Sequence, residues 1–269
     1  MEKVKRAERL AVMGRILTGS PNKIFTLSYF CELFSAAKST ISEDTAILAR
    51  TYRTFRLGSI ETVTGAAGGV RYRLAGNMES MRPFVTELCT RLTEKDRVLP
   101  GGYLYLSDVL SEPATVRRLG ELIAATYYDT PADFVLTMET KGIPVALETA
   151  EALSLPLVIA RRSIKVYEGG AVNISYVSGS GHIEMMSLPK RAVRQGQNAL
   201  IVDDFKRGGG TAQGMLSLMA EFGIHVSGMC FVLAVRGGKK LIDDEKAVMT
   251  LDPIVESRPT VVRPGLWIK

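Results

Sequence analysis

Apolar residues in the N-terminal part of the chain recur at helical spacing. Steps of three or four residues between apolar positions along residues 3–17 predict an amphipathic helix. Thr26 is a suitable N-cap for a second, short helix. A third helix follows with two alternative starts, because Ser35 can cap it, or Thr40 and Glu43 can form a capping box three residues apart.

A two-stranded ribbon is predicted after these helices. Residues 60–64 and 70–74 lie on either side of a glycine-containing turn at 65–69, and in 70–74 apolar residues alternate with Arg71 and Arg73. Three helices followed by a ribbon is the element order of a winged helix-turn-helix. In that arrangement the third helix enters the major groove of DNA, which has the width of an α-helix with its side chains.

Short, continuous apolar runs alternate with helix-like segments in the rest of the chain. The predicted strands are Phe134–Met138, Leu157–Ala160, Ala199–Val202 and Met229–Val235, and the predicted helices are Thr115–Thr126, Val145–Leu153 and Thr211–Phe222. Tyr103–Leu106 is either a further strand or an entry segment. Continuous apolar strands are typical of a mostly parallel sheet with helices on both faces. We therefore predict an α/β protein with a winged helix-turn-helix at residues 1–74, called the head, and a sheet domain at 75–269, called the body. Residues 75–97, with a helix over 78–92, are predicted to link them.

Composition is compatible with this division. The 269 residues are 46% apolar and 23% charged, which fits two globular domains and excludes a disordered chain. No apolar run approaches the length of a membrane span, so we expect a cytoplasmic protein with no membrane partner. Three dispersed cysteines and two histidines make neither a disulfide scaffold nor a zinc site.

The positive charge lies in the head. Residues 1–74 contain 12 Lys or Arg and 6 Asp or Glu, a net charge of +6, whereas the remaining 195 residues carry 22 of each sign. A basic head indicates an anionic partner, and double-stranded DNA is the predicted one. The candidate DNA-contacting residues are Lys38, Ser39, Thr40, Ser42, Arg71 and Arg73. The alternative is a helical cap used for dimerisation.

The strongest chemical signal follows the strand at 199–202. Two acids, Asp203 and Asp204, precede three glycines and a helix that begins at Thr211. Glycines let the backbone wrap closely around a ligand, and the helix N-terminus favours a phosphate. Paired carboxylates suit vicinal hydroxyls or a hydrated divalent cation. A ribose 5-phosphate unit satisfies both halves of this description, whereas the alternative is a plain connection between strand and helix.

Val202–Thr211 resembles the phosphoribosyl-pyrophosphate (PRPP) motif of type I phosphoribosyltransferases. Met138–Pro144 is similar to the pyrophosphate loop of that family, and residues 165–184 would form its flexible flap. This resemblance implies a PRPP site made of Asp203, Asp204, Phe205, Lys206, Arg207, Gly208, Gly209, Gly210 and Thr211, with Thr140, Lys141, Gly142, Arg161 and Arg162.

The two halves together resemble the bacterial purine operon repressor family along essentially the whole chain. The segments that carry the resemblance are Ser39–Asp44, Glu139–Pro144 and Asp203–Thr211. It implies a homodimeric repressor of purine biosynthesis genes that binds operator DNA and has lost transferase activity. It further implies PRPP as the inducer, with Mg²⁺ near the two acids, and guanosine tetraphosphate as a competitor.

The loop itself departs from the enzyme pattern. Phosphoribosyltransferases usually have an apolar residue and two small hydroxyl residues where this chain has Lys206, Arg207 and Gly208. Two cations would add affinity for polyphosphate, whereas catalysis requires interactions that strengthen only in the transition state. One alternative is an active purine phosphoribosyltransferase with an accessory N-terminal domain, and another is a bifunctional protein.

Overall fold

Helices dominate the start of the chain and a single large sheet dominates the remainder. The computed structural model describes residues 4–65, 68–74, 78–100, 103–163, 169–178, 181–255 and 259–268. The chain divides into two compact units, Met1–Gly76 with Glu151–Ser154, and Asn77–Ala150 with Leu155–Lys269. No helix among the described residues is long and apolar enough to cross a membrane.

The head has three helices and a two-stranded ribbon, in the predicted order. The helices are α1 (Arg6–Thr18), α2 (Leu27–Phe34) and α3 (Lys38–Thr54), and the strands are β1 (Ser59–Val63) and β2 (Gly69–Arg73). The strands pair antiparallel, with Ser59 opposite Arg73. Met13, Leu17, Phe30, Ile41 and Val70 are fully buried and form the centre of its core.

The start of α2 agrees with the sequence, whereas that of α3 does not. Thr26 caps α2, since its hydroxyl accepts a hydrogen bond from the backbone N of Tyr29 at 3.2 Å. Ala37 precedes α3 and no side chain caps it, so both predicted caps are wrong. Ser35 instead ends α2 in the left-handed conformation, with a φ of 48°, and it cannot also take the extended backbone of an N-cap.

The body is built around six strands. Its first elements are α4 (Met78–Leu92), a 3₁₀ turn (Lys95–Arg97), β3 (Val98–Leu99), β4 (Tyr103–Leu104), α5 (Ser107–Leu110) and α6 (Pro113–Tyr127). Next come β5 (Phe134–Met138), α7 (Ile143–Leu153), β6 (Leu157–Ala160), β7 (Ala171–Val177) and β8 (Ile183–Pro189). The last are β9 (Asn198–Lys206), α8 (Gly210–Glu221), β10 (His225–Val235), β11 (Glu245–Leu251) and β12 (Val262–Pro264).

The central sheet has the strand order β12-β11-β10-β9-β5-β6. All neighbouring pairs are parallel except β11 and β12, so the predicted mostly parallel sheet is confirmed. Every residue of β5 is buried, as expected for a strand covered on both faces. The sequence did not predict β11 and β12, which lie at one side of the sheet.

A hairpin occupies much of the segment predicted as a flexible flap. Strands β7 and β8 pair antiparallel, and residues 164–168 and 179–180 of this segment lie outside the described residues. The hairpin packs on α8, where two glycines permit a close approach. A Cβ atom on Gly210 would overlap the carbonyl oxygen of Val177, and one on Gly214 would lie 3.0 Å from the ring of Tyr176.

Candidate functional site

Three loops of the body meet at the carboxyl ends of the strands of the central sheet, because β6, β5 and β9 are parallel neighbours. Arg162 and the loop Asp203–Thr211 line a cavity of about 310 Å³. An adjoining cavity of about 230 Å³ is lined by Thr140 and Lys141 together with Arg162. The predicted loops thus come together at the carboxyl ends of the strands, where ligands bind in open α/β sheets.

Asp203 and Asp204 form a buried acidic pair. The Oδ1 atom of Asp203 accepts hydrogen bonds from Thr137 Oγ1 at 3.4 Å and from the backbone N of Asp204 at 3.0 Å. Burial raises the pKa of Asp203 well above its ordinary value, and the charge of Asp204 raises it further. Burial also raises the pKa of Asp204. Hydroxyl donors or a cation would stabilise the ionised forms, so the pair suits a ribose diol or hydrated Mg²⁺. The described residues contain no cluster of three or more metal-ligating side chains.

Gly142 makes room for this pair. A Cβ atom there would overlap Oδ1 of Asp203 and lie 2.6 Å from Thr137 Oγ1. Only glycine therefore lets the loop after β5 approach the end of β9 this closely. The peptide bond between Glu139 and Thr140, in the same loop, is cis.

The glycine run leads directly into α8. Gly209 has a φ of 83°, in the region that glycine adopts without steric cost, and its carbonyl accepts a hydrogen bond from the backbone N of Gln213 at 2.8 Å. Residues 208–211 all line the larger cavity. The N-terminal end of α8, with its positive dipole end, is therefore available to a phosphate.

The side chain of Lys206 is not free to bind a polyphosphate, as the sequence had suggested it would be. Its side chain is 6% exposed, and its Nζ pairs with Glu245 and donates to the carbonyl of Lys239 at 2.9 Å. The second carboxylate oxygen of Glu245 accepts the backbone N–H of Leu241 at 2.9 Å. The charge of Lys206 is thus balanced inside the protein, as a buried ammonium requires. The expectation that Lys206 offers its charge to a polyphosphate is corrected accordingly.

The three arginines predicted to bind the ligand differ from one another in their surroundings. The guanidinium of Arg207 lies over the ring of Tyr103, 4.9 Å from its centroid. Arg162 lines both cavities. Arg161 forms a backbone bridge with Ser187, and it is not among the described residues that line either cavity.

Sequence reasoning did not single out Tyr103, Phe231 or Glu184 as residues of the cavity, although all three line it. Tyr103 comes from β4, far from the loop in sequence. Phe231 reaches the site because β10 pairs with β9 and sets it beside Asp203. Glu184 had one local signal, since it is a polar residue within the apolar run of β8.

The head presents polar side chains at the start of α3. Lys38, Ser39 and Ser42 are exposed there, whereas Thr40 is half-buried. This is the part of a recognition helix that meets base edges in helix-turn-helix proteins.

The two ribbon arginines are engaged within the head. The Nε atoms of Arg71 and Arg73 lie 3.0 Å and 3.5 Å from the same carboxylate oxygen of Glu61, and their side chains are only 22% and 13% exposed. A DNA phosphate would have to compete with Glu61 for both.

Comparison with known proteins separates the chain into two matched parts. Residues 5–73 match the family described as bacterial purine repressor, N-terminal, and residues 106–263 match the phosphoribosyl transferase domain. A purine biosynthesis transcriptional regulator of Streptococcus pneumoniae is 44% identical over 84% of this chain and 83% of its own length. An activator of purine biosynthesis from Lactococcus lactis is 42% identical over 93% of both chains. A repressor from Bacillus subtilis is 40% identical over 94% of this chain and 89% of its own.

The chain belongs to the family of purine biosynthesis transcriptional regulators. This confirms the resemblance seen in the sequence, and the head of this purine regulator is its DNA-binding domain. The similar proteins include an activator and a repressor, so family membership establishes regulation without its sign.

The body of the purine regulator has the phosphoribosyltransferase fold. Adenine phosphoribosyltransferase from Thermoanaerobacter pseudethanolicus superposes with a TM-score of 0.54 at 21% identity, covering 61% of this chain and 98% of the enzyme. Xanthine phosphoribosyltransferase from Limosilactobacillus fermentum is 29% identical over 55% of this chain and 78% of its own length. These enzymes are thus similar to the body, whereas the purine regulators match most of the chain.

Proposed function

We propose that this purine regulator is a cytoplasmic repressor whose head binds operators of purine biosynthesis genes and whose body binds PRPP as the inducer. One observation carries the proposal, namely that Asp203, Asp204 and the glycine loop at the start of α8 line a single cavity. PRPP offers ribose hydroxyls to the acids and a 5-phosphate to the loop. Its pyrophosphate suits Arg162 and Lys141 in the adjoining cavity. Mg²⁺ that accompanies PRPP would be held by the same two acids.

A second ligand fits the same chemistry. Guanosine tetraphosphate also combines a ribose with phosphates, so it would compete with PRPP for the glycine loop at the start of α8. The rings of Tyr103 and Phe231 in the lining offer apolar surface to a ligand of this class.

We expect a homodimer with no transferase activity. Two heads related by a twofold axis would read two half-sites of an operator. The segment Lys206–Gly208 supports the absence of transfer chemistry, since it lacks the small hydroxyl residues found in the enzymes. Lys206 is committed to Glu245 rather than to the cavity.

PRPP regulates DNA binding only if it prefers one global state of the protein. In our proposal it favours the state with poorer DNA affinity. If the body also contacts DNA, the route is electrostatic, because ligand phosphates that neutralise Arg162, Arg207 and Lys141 would weaken the hold of the body on the anionic DNA backbone.

Operator binding measured by fluorescence anisotropy, with and without PRPP and Mg²⁺, tests the proposal. PRPP should weaken operator binding by the wild type, whereas Asp203→Ala/Asp204→Ala should bind the operator normally and ignore PRPP. Asp243→Ala, at an exposed acid outside the cavity lining, is the matched control. Unchanged or tighter operator binding on adding PRPP would contradict the proposal. Turnover of adenine, guanine, hypoxanthine or xanthine would favour an active transferase instead.

A further inference from the structure

The larger cavity contains an anionic side chain in addition to the acidic pair. Glu184, on β8, lines the cavity, and 27% of its side chain is exposed. Its Oε2 atom accepts a hydrogen bond from the hydroxyl of Tyr176 at 3.1 Å and lies 3.7 Å from Nε of Arg162. A carboxylate therefore already neighbours the cation that a ligand phosphate would contact.

The packing of the hairpin holds Glu184 at this position. The β7–β8 register sets Tyr176 directly opposite Glu184. Tyr176 is itself 8% exposed and packs against Gly214 of α8, so its hydroxyl has a defined position. Glu184 can therefore leave Arg162 only by breaking a hydrogen bond or by moving the hairpin.

The charged residues that line the larger cavity show why the Glu184 carboxylate matters for ligand binding. The described lining of the larger cavity contains three acids, Glu184, Asp203 and Asp204, and three cations, Arg162, Lys206 and Arg207. Glu245 neutralises Lys206, so two cations face three acidic residues. An incoming phosphate meets Glu184 as a like charge and as a competitor for Arg162.

We infer that Glu184 lowers the affinity of the effector site, as an internal anion that competes with ligand phosphate for Arg162. The inference rests on the proposed function, because it concerns the affinity of the same site for PRPP. Its consequence is a higher threshold concentration of effector, since the Glu184 carboxylate offsets part of the attraction between Arg162 and a ligand phosphate. Glu184→Gln keeps an oxygen acceptor for the Tyr176 hydroxyl and removes only the charge. It should tighten PRPP binding about three- to fivefold, because the site is half-open and solvent screens part of the repulsion.

Titration calorimetry of the full chain with PRPP and Mg²⁺ tests this. The variants are Glu184→Gln, Arg162→Gln and the double variant, with Glu221→Gln as the matched control at an exposed carboxylate on the last residue of α8. We expect the gain from Glu184→Gln to fall below about twofold in the Arg162→Gln background and to shrink with added salt. Glu221→Gln should leave the affinity unchanged.

Each outcome bears on one of the two proposals. If the wild type binds PRPP and Glu184→Gln binds it no more tightly, the role of Glu184 is overturned and PRPP remains the effector. An equal gain without Arg162, or an equal gain from Glu221→Gln, would likewise overturn competition for Arg162. PRPP binding by Glu184→Gln but not by the wild type would support it. Failure of every variant to bind PRPP would overturn the proposed effector, and this inference with it.

Discussion

We expect Asp203 to have opposing effects on stability and on ligand binding. Its carboxyl is almost fully buried, and ionising a buried acid costs free energy. The ionised form is nevertheless the one that accepts hydrogen bonds from a ribose diol or binds a cation. A residue of this kind stabilises the ligand complex at the expense of the free protein.

Asp203→Asn should therefore stabilise the body while it weakens PRPP binding. The pKa of an aspartate in the unfolded chain is about 4, whereas the pKa of Asp203 is raised in the folded protein. The contribution of Asp203 to the free energy of unfolding is therefore favourable at low pH, and it is lost as the pH rises through the folded pKa. The advantage of the variant in free energy of unfolding should grow as the pH rises above about 4, measured by urea denaturation. Asp243→Asn, at an exposed acid, should show no such trend. A difference between Asp203→Asn and wild type that is constant with pH would refute the argument.

Gly142 is a site where one added methyl group should abolish binding. Gly142→Ala forces its Cβ onto the carboxyl of Asp203 and towards Thr137, so the acidic pair must move. We expect PRPP binding to be lost and the free energy of unfolding to fall by about 1–3 kcal/mol, the usual cost of overpacking. Gly170→Ala is the control, because no atom lies within 4 Å of its added Cβ. Calorimetry and chemical denaturation measure the two effects, and wild-type PRPP affinity in Gly142→Ala would show that the loop can relax.

Between elements, an ion-pair cluster joins α1 to α3. Arg9 and Asp44 pair at 2.7 Å with both side chains less than a tenth exposed. Arg6 adds contacts to Asp44 at 3.2 Å and to the exposed Glu43 at 2.8 Å. A buried pair of this kind holds two helices in one relative position, because removing either partner leaves an uncompensated buried charge.

Asp44→Ala should destabilise the head by about 3–5 kcal/mol, since it leaves Arg9 buried without its partner. Glu43→Gln alters the exposed end of the same cluster and should cost at most about 1 kcal/mol. Hydrogen exchange at the amides of α1 and α3, measured in the full chain as it unfolds thermally, distinguishes the effects of the two variants. Equal losses of protection in the two variants would show that the buried pair is not what holds α3.

At the scale of the whole molecule, net charge differs between the head and the body. The head carries the entire net charge of +6, and the body is neutral. DNA affinity should therefore depend steeply on salt through the head.

Lys38→Gln should reduce the magnitude of the salt slope of operator binding by about one unit, as expected when one phosphate contact is lost. Arg71→Gln and Arg73→Gln should each reduce it by less, because Glu61 already engages both side chains. Lys190→Gln, at an exposed site in the body, is the control. Operator titrations over a range of salt concentrations measure the slopes. An unchanged slope in Lys38→Gln would remove the start of α3 from the DNA interface.

The sequence by itself determined the element order of the head, the fold class and the adjacency of the acids to the glycine loop. These properties are local. Helical spacing sets the faces of α1 and α2, continuous apolar runs mark β5 and β9 as buried strands, and the loop at 203–211 is contiguous in the chain. Local patterns carry this information because hydrogen bonds and apolar faces repeat with the period of each element.

Only the tertiary structure decided which charges remain available to a ligand. Lys206 and Glu245 are separated by 39 residues, and they meet because β9, β10 and β11 are consecutive in the sheet. Arg71 faces Glu61 through the pairing of β1 with β2, and Glu184 reaches Arg162 through a hairpin. A side chain's charge is balanced by whatever neighbour the fold supplies, because electrostatic interaction depends on distance and burial rather than on position in the chain.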